Sequence, residues 1–362
     1  GTYYENVNFN GKRLTLTKWM ECDNPVIDGG GVNPAITLLG TEGQGTSIRG
    51  FDLTHGYGAY GGGVCANGAN VQIEQCNFYD NSAGMGGALY NTKGYVVGCT
   101  FTSNIALAAG AAFLYGCSPR FENCVFGGTD TADGNAAALG GGAVVCQSAS
   151  GMITAPSFWR CTFLNNSSLQ GGALYSIGNS ATYTAGANIT NCVFWQNKAT
   201  GNNGYGGALH IREFSSMTVI NSTFTLNTTV RANAGGAAYV NGTAAGPATL
   251  TMRNALSWDN TSNGAVSEIA AGAYGTKTVR YSAVEGETNN YSIWLVGSSG
   301  WNPNFISTAP ATLNLRPQNA LVGLLGCDPA ITGPKKDIAG VTRPLAPGTK
   351  ADWGAYEAIG TY

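Results

Sequence analysis

Cys161-Thr162-Phe163-Leu164-Asn165-Asn166, followed by Gly171-Gly172-Ala173-Leu174-Tyr175, is the stretch on which the fold turns. The same frame recurs as Cys76-Asn77-Phe78-Tyr79-Asp80-Asn81 with Gly86-Gly87-Ala88-Leu89-Tyr90. It returns as Cys99-Thr100-Phe101-Thr102-Ser103-Asn104, and as Cys192-Val193-Phe194-Trp195-Gln196-Asn197 with Gly206-Gly207-Ala208-Leu209-His210. Weaker copies are Ser222-Thr223-Phe224-Thr225-Leu226-Asn227 with Gly235-Gly236-Ala237-Ala238-Tyr239, and Ala255-Leu256-Ser257-Trp258-Asp259-Asn260. Cys124-Val125-Phe126 lacks the Asn. Looser glycine blocks are Gly61-Gly62-Gly63-Val64-Cys65, Gly110-Ala111-Ala112-Phe113-Leu114 and Gly141-Gly142-Ala143-Val144-Val145. Self-similarity with a period of roughly 23 to 37 residues is the signature of an array of small structural units.

Each unit holds short, β-rich runs of alternating polarity cut by Gly, Asn and Asp, with no helical period between them. That pattern predicts the coils of a β-solenoid. The variable stretches, such as Gly127 to Leu139 and Ser176 to Gly186, read as loops leaving the solenoid. About ten coils at roughly 4.8 Å per stacked strand give a rod on the order of 50 Å long. In Cys-x-Phe, alternation puts both side chains on the inner face, where each column stacks on itself. A second inner row is Leu89, Phe113, Val144, Leu174 and Leu209. The Gly-Gly pair suits a corner needing positive φ or close backbone approach. The column Asn81, Asn104, Asn166, Asn197, Asn227 and Asn260 attracts attention as catalytic, but reads better as an amide ladder at a turn.

Composition agrees. Of 362 residues, 54 are glycine and only 10% are charged, against about 25% charged in an ordinary soluble domain, which counts against a helical enzyme. A net charge of -2 with singly scattered cations leaves no footprint for nucleic acid. No apolar run reaches the length of a membrane helix.

The frame Cys-x-Phe-x-x-Asn with Gly-Gly-Ala-Leu-Tyr resembles the right-handed parallel β-helix repeats of bacterial surface proteins, including the polymorphic outer-membrane protein repeat. The opening, Gly1 to Val7 through Val26-Ile27-Asp28-Gly29-Gly30-Gly31, is similar to the first coils of pectate-lyase-like β-helices. The tail, with Asn302-Pro303-Asn304-Phe305, Asp337 to Pro344 and Asp352-Trp353-Gly354-Ala355-Tyr356-Glu357, resembles the choice-of-anchor ending of secreted β-helix proteins. The resemblance implies an all-β, right-handed parallel β-helix over residues 1–300, with an irregular segment over 301–362 packing on it or capping it. It implies little about activity, because such proteins include lyases, hydrolases, adhesins and inert surface proteins.

Cys76, Cys99, Cys124, Cys161 and Cys192 share one column. Parallel Cβ vectors on stacked strands make poor disulfide geometry, so a ladder of buried free thiols is expected. Cys22, Cys65, Cys117, Cys146 and Cys327 lie outside it, and Cys117 with Cys146 could bridge adjacent coils. No Cys/His spacing suits zinc, and neither metal nor cofactor is expected. The requirements of pectin-degrading enzymes are not met. There is no Asp-Asp dipeptide, the histidines read Thr54-His55-Gly56 and Leu209-His210-Ile211, and the one close acid pair in a loop is Asp130 with Asp133. No catalytic residue is assigned.

Alternation turns Tyr90, Tyr175, His210 and Tyr239 outward after the Leu row, and Trp195 and Trp258 outward after the Phe column. Such aromatics serve sugar stacking or subunit packing, or merely brace neighbouring coils. The function expected is that of a non-enzymatic, extracellular or cell-surface structural or adhesive protein, whose partners are copies of itself or surface glycans. The alternatives are a polysaccharide lyase and a glycan-binding module. Residue 1 already sits within a coil, so end-to-end stacking into a filament is also expected, a leader already removed being the other explanation.

Overall fold

The computed structural model describes residues 1–19, 23–286, 305–308, 313–317 and 337–338. Its strands stack into four long sheets, which the chain visits in turn from Asp52 onward, the two coils before it having no strand in the second. Sheet 1 runs from Thr2–Tyr4 to Ala283–Val284 in eleven strands and contains every Cys-x-Phe segment. Sheet 2 runs from Tyr57–Tyr60 to Thr261–Ser262, sheet 3 from Val7–Asn8 to Ile269–Ala271, and sheet 4 from Thr15–Thr17 to Gly275–Arg280. Pairing within the four sheets is parallel and in register, as in Phe163↔Phe194↔Phe224, except at one terminal strand of sheet 2. The chain is therefore an all-β parallel β-helix, and its eleven sheet-1 strands agree with the expected number of coils.

Identical positions meet across coils because the strands are in register, and like side chains then stack. Phe78, Phe101, Phe126, Phe163, Phe194 and Phe224 form one continuous pile with ring centroids 4.5–4.8 Å apart. Each is fully buried, which contributes about 2–3 kcal/mol per ring. The thiol column lies beside it, and Cys76, Cys99, Cys124, Cys161 and Cys192 are all buried and free. Cys117 and Cys146 are buried and free as well, so the bridge between them does not form. Cys22 and Cys327 lie outside the described residues.

The glycine pair divides its work. The first residue needs the left-handed backbone, with φ +63° at Gly171 and +67° at Gly206. The second faces the neighbouring coil so closely that a Cβ on Gly172 would lie 2.1 Å from the Gly207 carbonyl oxygen. One coil departs from this. Ala109 holds φ +60° where a glycine stands elsewhere, so the corner pair of this coil is Ala109-Gly110 and its block begins one residue before Gly110. Leu89 therefore pairs with Ala112 and Tyr90 with Phe113, so Phe113 belongs to the outward aromatic column and not to the inner Leu row.

The last coil closes differently. Asn263 and Gly264 both take positive φ (51° and 76°), the geometry of a tight Asn-Gly hairpin turn. Ala265–Val266 consequently folds back antiparallel on Thr261–Ser262. The chain thus re-enters the solenoid early and brings Glu268 beside Ala237, whose N–H donates to the Glu268 carbonyl at 3.0 Å.

The boundary drawn at residue 300 lies outside the described residues, as does Trp301. Of the segment beyond it, Leu313, Leu315 and Ile338 pack on Leu164, Val193 and Trp195, on the outer side of sheet 1.

Candidate functional site

The Asn column is an uninterrupted chain of hydrogen bonds. Each Asn Nδ2 donates to the Oδ1 of the next: Asn81 to Asn104 (3.0 Å), Asn104 to Asn135, Asn135 to Asn166, Asn166 to Asn197, Asn197 to Asn227 (each 2.9 Å) and Asn227 to Asn260 (2.8 Å). Each backbone N–H donates to the same acceptor, as Asn135 does to Asn166 at 3.2 Å. Asn135 is a member that the repeat pattern missed. The insertion from Gly127 to Gly134, with its short 3-10 turn Thr131–Asp133, displaces it from Phe126. All seven amides are buried, with their polar atoms engaged inside the ladder, so these residues are not available to a substrate.

Glu268 ends the ladder. Its Oε1 accepts the Asn260 N–H at 2.9 Å, and its Oε2 accepts the Asn260 Nδ2 and the Ser257 hydroxyl at 2.5 Å each. Burial, with a smaller contribution from Glu285, raises its carboxyl to about 8 despite these donors. The folded chain then keeps a proton that the unfolded chain releases near 4.5. Stability from this group is complete below 4.5 and declines as pH rises towards 8. The melting temperature is expected to fall by about 5 °C across that window, and Glu268→Gln, measured by circular dichroism melts, is expected to flatten the slope.

The aromatic column of sheet 3 runs Cys65, Tyr90, Phe113, Val145, Tyr175, His210, Tyr239. It does point outward, but it is not an open platform. His210 is 1% exposed. It is enclosed by Tyr175 and Tyr205 (each 5.4 Å between centroids) and by Tyr239 (5.8 Å), and its Nε2 faces Asn241 Oδ1 at 2.8 Å. Burial lowers its pKa to about 3, so the ring is neutral. Tyr205 stacks on Tyr239 at 4.3 Å and carries Arg231 over its ring at 4.4 Å, while Arg212 donates to the Tyr175 hydroxyl at 3.0 Å. Tyr205 and Arg231 come from loops between sheets 2 and 3, outside the repeat frame. Tyr90, half-buried, packs against the tilted ring of Tyr60 at 4.6 Å between centroids.

Trp195 and Trp258 are not exposed either. They belong to an outer column of sheet 1, with Leu164 and Thr225, that is buried throughout. Leu313, Leu315 and Ile338 cover Leu164, Val193 and Trp195 on this face, which alternation alone does not disclose.

Other surfaces are open. On sheet 2, Tyr57, Met85, Ile105, Leu107, Leu139 and Leu169 are exposed, Ile105 at 57% and Leu107 at 61%. The sheet-2 strands from Tyr57–Tyr60 to Ser167–Ser168 hold no charged residue. On sheet 1, towards the first coils, His55 Nδ1 lies 3.0 Å from Asp28 Oδ2. Among the described residues no group of three or more His, Cys, Asp and Glu is placed to hold a metal, and no helix is long and apolar enough to cross a membrane.

Stacked parallel coils with in-register inner columns define the class, a parallel β-helix. Residues 35–224 match the model of the right-handed β-helix region, more than half of the chain, and the protein belongs to that family. No curated protein and no solved structure matches the chain.

Proposed function

We propose that this is a non-enzymatic structural or adhesive β-helix of the cell exterior, working through association of its faces. The observation that carries the reading is the uncharged, apolar outer face of the sheet-2 strands from Tyr57–Tyr60 to Ser167–Ser168. Evenly spaced exposed Ile, Leu and Tyr on a flat sheet mark an interaction surface. The occupant that fits is a second copy. The face has no charge to oppose its own image, and a side-by-side pair related by a two-fold axis would bring like residues together. The three four-residue and two two-residue uncharged strands give roughly 250 Å² per partner, the size of a weak, transient contact. The likeness of the repeats to bacterial surface proteins supports the exterior location. Burial also pushes the Cys65 thiol up to about 11 and the Cys117 thiol up to about 12, so these thiols resist oxidation in such a setting.

Sedimentation at micromolar concentration tests this. The wild type is expected to associate, and Ile105→Glu with Leu107→Glu is expected to weaken self-association at least about tenfold. Persisting assembly would favour end-to-end stacking instead. At the solenoid's first coil a cavity of about 510 Å³ opens beside Tyr3, Val7, Leu16, Trp19 and Phe51. The second reading, a carbohydrate-active enzyme, is favoured by the Asp28–His55 pair alone. Turnover of a polysaccharide that is lost in His55→Ala would replace the first reading with it.

A further inference from the structure

We infer that the outer face of sheet 4 carries a binding subsite for a neutral, extended glycan, separate from the association face on sheet 2. A shallow cavity of about 290 Å³ lies there, lined by Gln44, Gly45, Thr46, Asn70, Gln72 and Tyr95. None of the six is charged. Tyr95 is 56% exposed, so its ring offers an apolar face to the C–H side of a pyranose. Three carboxamides stand around it, each with two donors and an acceptor, which is the chemistry that recognises sugar hydroxyls. Gln72 Nε2 donates to Glu74 Oε1.

Two of the nearby cations are paired, whereas Arg13, whose Cδ lies against Gly45, has no ion pair among the described residues. Arg49 meets Glu74 at 3.6 Å, and Arg120 donates to Glu122 at 2.8 Å while lying 4.3 Å over the Trp159 ring. The lining itself supplies no cation for an anionic ligand. The direction of the ligand follows from the register. Gln72 and Tyr95 each precede the paired Ile73 and Val96, and Tyr95 is followed by Arg120 and Ser157 in the same outward column. Polar outward groups thus recur at about 4.8 Å, close to the length of one pyranose, so the glycan lies along the solenoid axis.

The full chain is titrated by calorimetry with cellohexaose, xylohexaose, chitohexaose and an oligogalacturonate of similar length. At least one neutral hexaose is expected to bind. Tyr95→Ala is expected to weaken that binding about tenfold, Tyr95→Phe to preserve it, and Gln72→Ala to weaken it about threefold. Both positions are exposed, so the variants should melt like the wild type. Failure of every neutral oligomer to bind overturns the inference. So does preferential binding of oligogalacturonate, or binding unchanged by Tyr95→Ala. Sedimentation of the same Tyr95→Ala sample separates this result from the association reading, which it should leave intact.

Discussion

Replacing Gly172 by alanine is expected to unfold much of the central solenoid, with a loss of about 4–5 kcal/mol in urea denaturation. The added Cβ would lie 2.1 Å from the Gly207 carbonyl oxygen and 2.4 Å from the Lys198 amide nitrogen. Both are backbone atoms of the adjoining coil, tied into the parallel ladders, and neither can retreat without opening a sheet. Relief requires the coils to separate locally, which breaks the Ala173 N–H to Ala208 carbonyl bond (3.0 Å) beside the same corner. Gly151, with nothing near its Cβ position, is the useful contrast. Its φ of +86° leaves only the backbone strain of about 1 kcal/mol for alanine. Equal losses at the two sites would refute the close-approach argument.

Asn166→Ala carries the second large effect, about 3–5 kcal/mol. The substitution removes the acceptor of the Asn135 backbone N–H (3.2 Å) and Nδ2 (2.9 Å). It also removes the donors to the Phe126 carbonyl (3.0 Å) and the Asn197 Oδ1 (2.9 Å). Four buried polar groups then lose a partner in a place without room for water, and leaving such groups unmade costs more than the bonds themselves contribute. Asn166→Asp should be nearly as harmful, because a carboxylate accepts but cannot donate down the column. Asn203→Ala, at an exposed Asn that faces only Arg231, is expected to fall within about 0.5 kcal/mol of wild type. Chemical denaturation of the three variants side by side provides the comparison.

The repeat frame disclosed the architecture because the two columns that mark it, Cys and Phe, keep one residue type over five and six successive coils. Phe at every third frame position, Cys before it and Gly-Gly at the corner leave few ways to fold. What the frame did not disclose depended on contacts made outside it. Ala109 in place of the first corner glycine hides where that coil's block begins, and a count from Gly110 puts Phe113 in the wrong column. Asn135 sat beyond an insertion, and only its phase in space, not its distance in sequence, revealed it. The Asn263-Gly264 pair is a strong hairpin signal in the sequence, and attention to it would have found the fold-back that places Glu268. The outward aromatics were read correctly for direction and wrongly for exposure at His210, Trp195 and Trp258. Alternation says which side of a sheet a residue occupies, whereas Tyr205, Arg231 and Leu315 arrive from other parts of the chain. Tyr95 and its amides belong to no repeat, which is why the sheet-4 groove did not stand out.

The ladder's indifference to coil length has a consequence for how such a protein changes over generations. Successive amides bond across intervals of 23, 31, 31, 31, 30 and 33 residues. What is conserved in the geometry is a handshake between turns, not a count. A duplicated turn can join anywhere in the row, provided it brings one amide of its own. A loop such as 128–133 can lengthen without the rows on either side registering the change. The same property makes that loop a natural port for grafting foreign peptides onto a stiff rod, with spacing between neighbouring grafts set in steps of one strand.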